Sequence, residues 1–396
     1  MNPADRFHHR DRTLPIVRLI QKLYTGRPMG DRPRHYGWEC SPYSAKTRAY
    51  LRYKGVDFHD VHPGMWTLQT KITRSVGRLV MPTMELSDGT WLQDTSEIID
   101  TFEERADGPS VVPTTPRQRF IAYLLELFGD EWLVIVAMHT RWNDPQNREF
   151  VYDDFGREAT PWLPGPLRRR IGRTIGARMW SYLPKLGVAP ETEAGIDRML
   201  DALLVALNQH LTQTPYLLGG RPCIGDYSVM GMLYAHVLRD PGSSHRIRAH
   251  PEVEAWIDRV YSGTEVTGEW FADDQVPDSL VPVLDPVFRD ALPYVRALVD
   301  AINAWCSANP DASRLPRSLG DTLFTIGGIQ GQRRLITFTQ WMAQRPLLTL
   351  RDMPRDEQND VLTWLESLGH RALVEGISID NPVERHDFRE RLVSRS

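Results

Sequence analysis

The stretch Glu39 to Gly55, ECSPYSAKTRAYLRYKG, decides the fold together with the residues just before it. Arg34 to Glu39 is predicted to be a strand, and Tyr43 to Lys54 a helix that the following glycine ends as a left-handed cap. Ser41 suits the N-cap position and Pro42 the first helical position, although Ser-Pro at a helix start indicates by itself only a cap. Because a helix start offers unpaired N–H groups and the positive end of the helix dipole, this turn favours an anion such as a thiolate.

The elements that follow complete a small α/β unit. Asp57 to Val61 is predicted to be a second strand. Thr83 to Leu86 and Thr90 to Leu92 flank the Asp88-Gly89 pair, a signal for an antiparallel hairpin. Asp94 is expected to cap a further helix, with an acidic residue at its third position. The order is therefore strand, helix, strand, hairpin and helix.

Three landmarks in this unit resemble the N-terminal half of glutathione transferases. Glu39 to Gly55 is similar to their first strand-to-helix turn, where S-P-x-S replaces the C-P-x-C of redox thioredoxin relatives. Val80-Met81-Pro82 resembles their Val-Pro step with a cis proline, and Asp94-Thr95 resembles their acidic-Ser pair. The resemblance implies an α+β protein with a thioredoxin-like glutathione-binding domain over residues 34–106.

The resemblance also implies roles for individual residues. Ser41 would be the catalytic residue, donating its hydroxyl hydrogen to the sulfur of glutathione, the co-substrate. Met81 and Pro82 would present an extended backbone edge to the cysteinyl part of glutathione. Thr95 and nearby N–H groups would hold the γ-glutamyl carboxylate, and Asp94 the ammonium.

Cys40 is the alternative nucleophile, since a cysteine in this turn would suit thiol-disulfide exchange. It stands one position too early, because the relatives that use a cysteine carry it at the position of Ser41. The resemblance therefore favours Ser41.

After the turn-rich segment near Pro113, apolar residues recur at helical spacing, which predicts an all-helical domain over residues 113–270. Tyr216 to Gly231 resembles the transferase segment in which a Ser/Thr-x-x-Asp box starts a buried helix. Cys223 takes the Ser/Thr position, leaving Asp226 to cap alone. The expected wall for the second substrate includes Trp132, His139 and Arg141, with core packing as the alternative for the aromatic residues.

Residues 271–396 are predicted to form a mainly helical C-terminal extension, and residues 1–33 a comparable N-terminal extension. A helix is expected to start at Asp285-Pro286, and another to span Glu357 to Leu368. Phe324 to Phe338, FTIGGIQGQRRLITF, is predicted to be either a glycine-turned hairpin or an irregular loop.

Composition limits the remaining functions. With 25% charged residues and a net charge of −4, nothing in the bulk charge indicates nucleic acid, and the basic run Arg168 to Arg178 is interpreted as a solvated face. The longest apolar run, Leu133 to Met138, is too short for a membrane span. Three cysteines without a C-x-x-C pair indicate neither a disulfide framework nor a metal site, which favours the cytoplasm.

The sequence therefore predicts a glutathione S-transferase that activates glutathione as a thiolate for attack on a hydrophobic electrophile. The resemblance suggests a homodimer. Two alternatives remain open. One is a catalytically silent binding protein with the transferase fold, and the other is a glutathione-dependent lyase, isomerase or thiol reductase.

Overall fold

The computed structural model describes residues 32–263 and 268–393. All but the last two residues of the predicted N-terminal extension lie outside these ranges, as does the amphipathic segment from Thr13 to Tyr24. Within the described residues the protein has an α+β fold in which a small mixed sheet is followed by helices and two further hairpins.

The first seven elements form the N-terminal part of the molecule. They are β1 (Arg34–Tyr36), α1 (Pro42–Tyr53), β2 (His59–Val61), the helical segment α2 (65–76), β3 (Thr83–Glu85), β4 (Trp91–Gln93) and α3 (Thr95–Arg105). The sheet has the order β2-β1-β3-β4, with β1 parallel to β2 and β3 antiparallel to both β1 and β4. This is the thioredoxin-like arrangement that the sequence predicts, with strands shorter than expected.

Local sequence explains how these elements begin and end. Gly55 has φ of 64° and follows α1, as a left-handed cap requires. Gly89, with φ of 86°, makes the turn between β3 and β4. Asp94 precedes α3, and its carboxylate accepts a hydrogen bond from the Ser96 N–H. The predicted cap, turn and hairpin are therefore confirmed.

The middle of the chain is helical. Its elements are α4 (Pro116–Leu127), a π-helical turn (Phe128–Trp132), α5 (Val134–Asn143), α6 (Pro145–Ala159), α7 (Gly165–Trp180), α8 (Leu183–Leu186), α9 (Glu193–Leu211), α10 (Ile224–Met232), a second π-helical turn (Leu233–Leu238), α11 (Ser244–Arg248) and α12 (Pro251–Ser262). The Asp226 carboxylate accepts the Cys223 N–H at 2.8 Å, which confirms capping by Asp226. The prediction that Asp226 caps alone is wrong, because the Cys223 side chain accepts the Asp226 N–H and completes the capping box.

Two close contacts fix this helical part against the start of α1. A Cβ added at Gly231 would lie 2.6 Å from the Pro42 carbonyl oxygen, so only glycine allows α10 to approach this closely. The Tyr43 hydroxyl donates to the Asp130 carbonyl oxygen at 2.9 Å. The helical part is thereby held directly against the turn that carries Ser41.

The C-terminal section contains a short 3-10 turn (Asp278–Leu280), α13 (Val281–Pro286), a π-helical turn (Val287–Ala291), α14 (Leu292–Ala308), β5 (Ser318–Ile326), β6 (Ile329–Ile336), α15 (Thr339–Arg351), α16 (Arg355–Ser367), α17 (Arg371–Glu375), β7 (Val383–His386) and β8 (Arg389–Leu392). The glycine-turned hairpin and the helix predicted near residues 357–368 are confirmed. The predicted helix start at Asp285-Pro286 is wrong. Pro282 takes the place of a proline in the first helical turn, and Pro286 lies at the end of α13, where the chain widens into a π-helical turn.

The C-terminal section shares one apolar core with the helical part. The Phe324 ring packs edge-on against the Trp132 ring at 6.0 Å between centroids. A Cβ added at Gly195 on α9 would lie 2.3 Å from the Ile326 carbonyl oxygen, so the β5–β6 hairpin lies directly on that helix. The domain boundaries near residues 106, 113 and 270 stay predictions.

Candidate functional site

The three landmarks of the sequence meet at one edge of the sheet. The strand register pairs Thr83 with Tyr36 on one side and with Gln93 on the other. Ser41 follows the end of β1, Met81-Pro82 directly precedes β3, and Asp94-Thr95 directly follow β4. The peptide bond between Met81 and Pro82 is cis. The residues predicted to contact glutathione therefore all lie at the same edge of the sheet.

Ser41 is half-buried and caps α1. Its backbone is extended, with φ of −92°, and its Oγ accepts a hydrogen bond from the Ser44 N–H at 3.2 Å. Because the Oγ acts as acceptor in this bond, the hydroxyl hydrogen can still be donated. Pro42 occupies the first turn, as expected from the sequence. A donor hydroxyl at a helix start is an arrangement that can stabilise a thiolate.

Cys40 is unsuited to thiolate chemistry. Its side chain is buried, and burial raises the pKa of its thiol far above the usual value. Its carbonyl oxygen accepts a hydrogen bond from Arg141 Nη1 at 2.9 Å. The structure therefore gives Cys40 a packing role beside Ser41, in agreement with the choice made from the sequence.

The start of α3 is more enclosed than the start of α1. Asp94 has φ of 100°, an unusual value for a residue other than glycine, and burial raises the pKa of its carboxyl. Thr95 is buried, and its hydroxyl oxygen accepts a hydrogen bond from Lys46 Nζ at 3.1 Å. The Thr95 hydroxyl thus faces the interior, which differs from its predicted contact with a ligand carboxylate.

A buried group of charges lies beneath the α3 start and was missed by sequence reasoning. Lys46 on α1 approaches Glu126 at 2.9 Å and Asp130 at 2.6 Å. Burial opposes the charge on Lys46, but Asp130 and Glu126 hold its pKa above the usual value. Burial raises the pKa of Asp130 to about 6. Sequence reasoning missed this group because Glu126 and Asp130 lie 80 and 84 residues from Lys46 along the chain.

The C-terminal section reaches the same place through Arg385 on β7. Its Nε lies 2.9 Å from Glu97 Oε1, and its Nη2 donates to the Gln93 carbonyl oxygen at 3.1 Å. Its Nη1 lies 3.7 Å from Asp94 Oδ2. No sequence signal identified Arg385, because Glu97 and Gln93 lie 288 and 292 residues away along the chain.

All three residues predicted to line a second-substrate wall are buried, and Arg141 and Trp132 have partners in the interior. Arg141 pairs with Asp240, with its Nε 2.7 Å from Oδ2, and also donates to the Ala235 carbonyl oxygen at 2.5 Å. Trp132 is enclosed by aromatic residues and by Arg333, whose guanidinium lies 4.8 Å from the Trp132 ring centroid. Neither side chain forms a wall open to a second substrate, so these two predictions are corrected.

His139 lines a different cavity. It lies 2.9 Å from Asn143 and 3.4 Å from Asp197, and the three residues face a polar cavity of about 750 Å³. Ser41 is not among the residues that line this cavity. The sequence prediction that His139 meets the same substrate as Ser41 therefore has no geometric support.

Residues 32–263 and 268–393 contain neither a candidate metal site nor a candidate membrane span. Among them, His, Cys, Asp and Glu side chains nowhere form a group of three or more that could hold a metal ion. In the same ranges, no helix combines the length and the apolar character that crossing a membrane requires. All three cysteines are buried, and none of them forms a disulfide.

Comparison with known proteins identifies the N-terminal part. Residues 36–110 match the family model described as "Glutathione S-transferase, N-terminal domain". A search among curated proteins found no match.

Similar solved structures include three of interest. A glutathione S-transferase from Rhodospirillum rubrum F11 has 18% identity, covering 64% of this chain and 91% of its own, with a TM-score of 0.38. The beta-etherase LigF from Sphingobium sp. strain SYK-6 has 16% identity, with coverages of 64% and 99% and a TM-score of 0.39. A glutathione S-transferase from Methylobacterium radiotolerans JCM 2831, in complex with glutathione sulfonate, has 21% identity, coverages of 62% and 100% and a TM-score of 0.36. Similarities this low carry no functional argument.

Proposed function

We propose that this chain, whose residues 36–110 belong to the N-terminal domain family of glutathione S-transferases, binds glutathione and activates its thiol for transfer to an apolar electrophile. The observation that carries the proposal is the strand register, in which Tyr36, Thr83 and Gln93 lie side by side. One tripeptide could therefore reach Ser41, Met81 and Asp94 at once.

Ser41 would act on the sulfur of glutathione. Its hydroxyl donates to the sulfur while the start of α1 adds the positive end of a helix dipole, and both favour the thiolate. A free thiol has a pKa of about 8.5, and lowering it by about one to two units corresponds to about 1.4 to 3 kcal/mol. Ser41 would thus make a large fraction of the bound thiol reactive at neutral pH.

The rest of glutathione would bind along the sheet edge. Backbone groups of Met81, preceding Pro82, would pair with its cysteinyl part as an added strand does. Asp94 would meet the ammonium of the γ-glutamyl group. Because the buried Thr95 hydroxyl accepts from Lys46 and donates to Asp130, the γ-glutamyl carboxylate would depend on backbone N–H groups at the start of α3.

In the proposed reaction, the thiolate attacks an electrophilic carbon of the second substrate. A carbon–sulfur bond forms, and the leaving group departs with the electron pair of the bond that breaks. Ser41 remains hydrogen-bonded to the sulfur until this step.

Calorimetric titration with glutathione tests binding, and thiolate absorbance tests activation. Ser41→Ala is expected to leave the affinity within about threefold but to lower the bound thiolate fraction about tenfold or more. Ser44→Ala is the matched control, since its buried hydroxyl on the same helix has no hydrogen-bond partner among the described residues. Unchanged thiolate absorbance in Ser41→Ala would remove the proposed role of Ser41.

A catalytically silent binding protein is the second candidate, and the contact of Arg385 with the α3 start favours it. Saturable glutathione binding without thiolate formation would be its signature. A lyase or isomerase would also use the thiolate, whereas a thiol reductase fits poorly because Cys40 is buried.

We further propose a cytoplasmic homodimer. The absence of a disulfide among the three cysteines supports a reducing compartment, and the match of residues 36–110 to a glutathione S-transferase domain supports the dimer. Sedimentation of the full chain measures its oligomeric state, and a monomer at micromolar concentration would contradict this part of the proposal.

A further inference from the structure

The last two strands form a hairpin that lies against the proposed glutathione site. In this C-terminal hairpin, β7 pairs with β8 from Val383 opposite Leu392 to His386 opposite Arg389. Arg78, three residues before Met81, donates a hydrogen bond to the Phe388 carbonyl oxygen in the hairpin turn. The hairpin therefore contacts the chain on both sides of the sheet edge, near Met81 and near Asp94.

The Arg385 guanidinium is the most enclosed part of this contact. Its side chain is 2% exposed. Its Nε meets Glu97, and its Nη2 meets both the backbone carbonyl oxygen and the Oε1 of Gln93, at 3.1 and 2.5 Å. Its Nη1 lies 3.4 Å from Glu390 and 3.7 Å from Asp94. Every nitrogen of the guanidinium thus faces an acceptor oxygen.

The acceptors around Arg385 form a cradle that suits a cation. Gln93 offers two neutral oxygens, and Asp94 and Glu97 offer two carboxylates whose side chains are 10% and 29% exposed. Burying carboxylates without a positive partner is costly, so this place requires a cation whenever both are ionised. Burial raises the pKa of both carboxyls, to about 7 for Glu97, which is consistent with this cost.

Resting on the function proposed above, we propose that Gln93, Asp94 and Glu97 form a cation subsite that the chain's own Arg385 occupies. The α-ammonium of glutathione and the C-terminal hairpin then compete for this subsite. An ammonium is a compact cation with three donors, and it can meet the same oxygens that the guanidinium meets. Glutathione would bind fully only when Arg385 has left.

The hairpin is built so that Arg385 can leave while its base stays in place. At the base, the Gln344 side chain on α15 donates to the Val383 carbonyl oxygen at 2.6 Å and accepts the Val383 N–H at 3.1 Å. The Leu392 N–H donates to the Ser313 carbonyl oxygen at 3.1 Å. These contacts hold the base to the C-terminal section, whereas Arg385 and the turn contact the thioredoxin-like part. Release therefore requires only the latter contacts to break.

Competition of this kind lowers the apparent affinity by the fraction of molecules in which the subsite is free. If the hairpin is docked in most molecules, Arg385→Met should raise the affinity for glutathione about 10-fold to 100-fold. Arg389→Met is the matched control, because this arginine is exposed on the same hairpin and lies outside the subsite. It should leave the affinity unchanged.

The test is calorimetric titration of the full chain and both variants with glutathione and with an analogue that lacks the α-amino group. The inference expects Arg385→Met to improve glutathione binding and to leave analogue binding unchanged. Because this variant leaves two carboxylates without their partner and could misfold, hydrogen exchange of the unaltered chain provides a second measurement. Glutathione, but not the analogue, should speed amide exchange across residues 383–392.

Each result decides the question. Saturable glutathione binding with no gain in Arg385→Met and no change in hairpin exchange overturns the cation subsite but leaves the proposed function standing. Equal gains in affinity for glutathione and for the analogue also overturn the cation subsite, since the hairpin would then block the site only sterically. Absence of binding in both the unaltered chain and Arg385→Met overturns the proposed function and this inference with it.

Discussion

The starts of α1 and α3 invite comparison, because both meet at the same sheet edge and each is capped by a side chain. Ser41 caps α1 with a neutral hydroxyl and stays half-buried. Asp94 caps α3 with a carboxylate, has φ of 100° and lies beneath Arg385. Similar cap signals therefore produce one helix start whose capping residue stays half-buried and one that a distant part of the chain covers.

Lys46 connects the two helix starts, and its replacement is expected to have the largest effect on the free energy of unfolding. It extends from α1 to Thr95, Glu126 and Asp130, so Lys46→Met leaves the buried Asp130 carboxylate without its cation, while Glu126 keeps Arg345. Removing one partner of a buried pair costs about 3 to 5 kcal/mol. The free energy of unfolding in urea should fall by this amount.

Lys71→Met is the matched control for Lys46→Met. Lys71 also pairs with a carboxylate, Glu85 at 2.7 Å, but its side chain is 41% exposed. A pair this exposed contributes at most about 1 kcal/mol. Equal losses in the two variants would show that the buried charges do not link the two helix starts.

Removing the two caps sharpens the comparison directly. Ser41→Ala loses one cap hydrogen bond and should cost about 1 kcal/mol. Asp94→Ala loses a cap and a charge near Arg385, and it also forces alanine into a positive φ, so about 2 kcal/mol or more is expected. Unfolding in urea measures both changes.

Asp94→Gly separates the backbone part of that cost from the rest. Glycine accepts a positive φ, so this variant should be less destabilised than Asp94→Ala although it lacks the same carboxylate. If glycine is the worse replacement, the φ of Asp94 is not a source of strain, and the two helix starts differ only in charge.

The features of these helix starts that were predicted from the sequence depend on residues close together in the chain. The Ser41 and Asp94 caps and the Asp88-Gly89 turn depend on neighbours within a few residues, and each can be read from a short window. The cis Met81-Pro82 step was recognised because its family context lies in the same stretch. The sheet edge that collects these residues follows from the order of the strands.

What the sequence did not predict depends on contacts between distant parts of the chain. Arg385 meets Glu97 across 288 residues, and Lys46 meets Asp130 across 84 residues. The predictions for Trp132 and Arg141 failed for the same reason, because contacts with distant parts of the chain bury residues that were expected to face a ligand. Their spacing on a helix suited a pocket wall, but packing against the C-terminal section and against Asp240 buried them. One sequence does not reveal which distant element will cover a helix face.

The smallest expected effect concerns the titration of Glu97 in the first turn of α3. Burial raises its pKa to about 7 from an ordinary value of 4.5, so between these values the folded chain holds a proton that the unfolded chain has released. The stabilising contribution of Glu97 is therefore largest at low pH and is lost as the pH rises through about 7. Glu97→Gln cannot ionise, so the stability of the unaltered chain should fall relative to this variant between about pH 5 and pH 8.

The size of this fall measures how well Arg385 compensates the buried carboxylate. We expect about 1 kcal/mol, well below the unscreened equivalent of the pKa shift, because the Glu97 side chain remains 29% exposed. Repeating the measurement in Arg385→Met should enlarge the fall, since Arg385 lowers the pKa of Glu97. If the stability instead rises with pH relative to Glu97→Gln, attraction by Arg385 outweighs burial. Arg385 would then bind the start of α3 more strongly than the raised pKa of Glu97 indicates. The difference between the starts of α1 and α3 would be correspondingly larger.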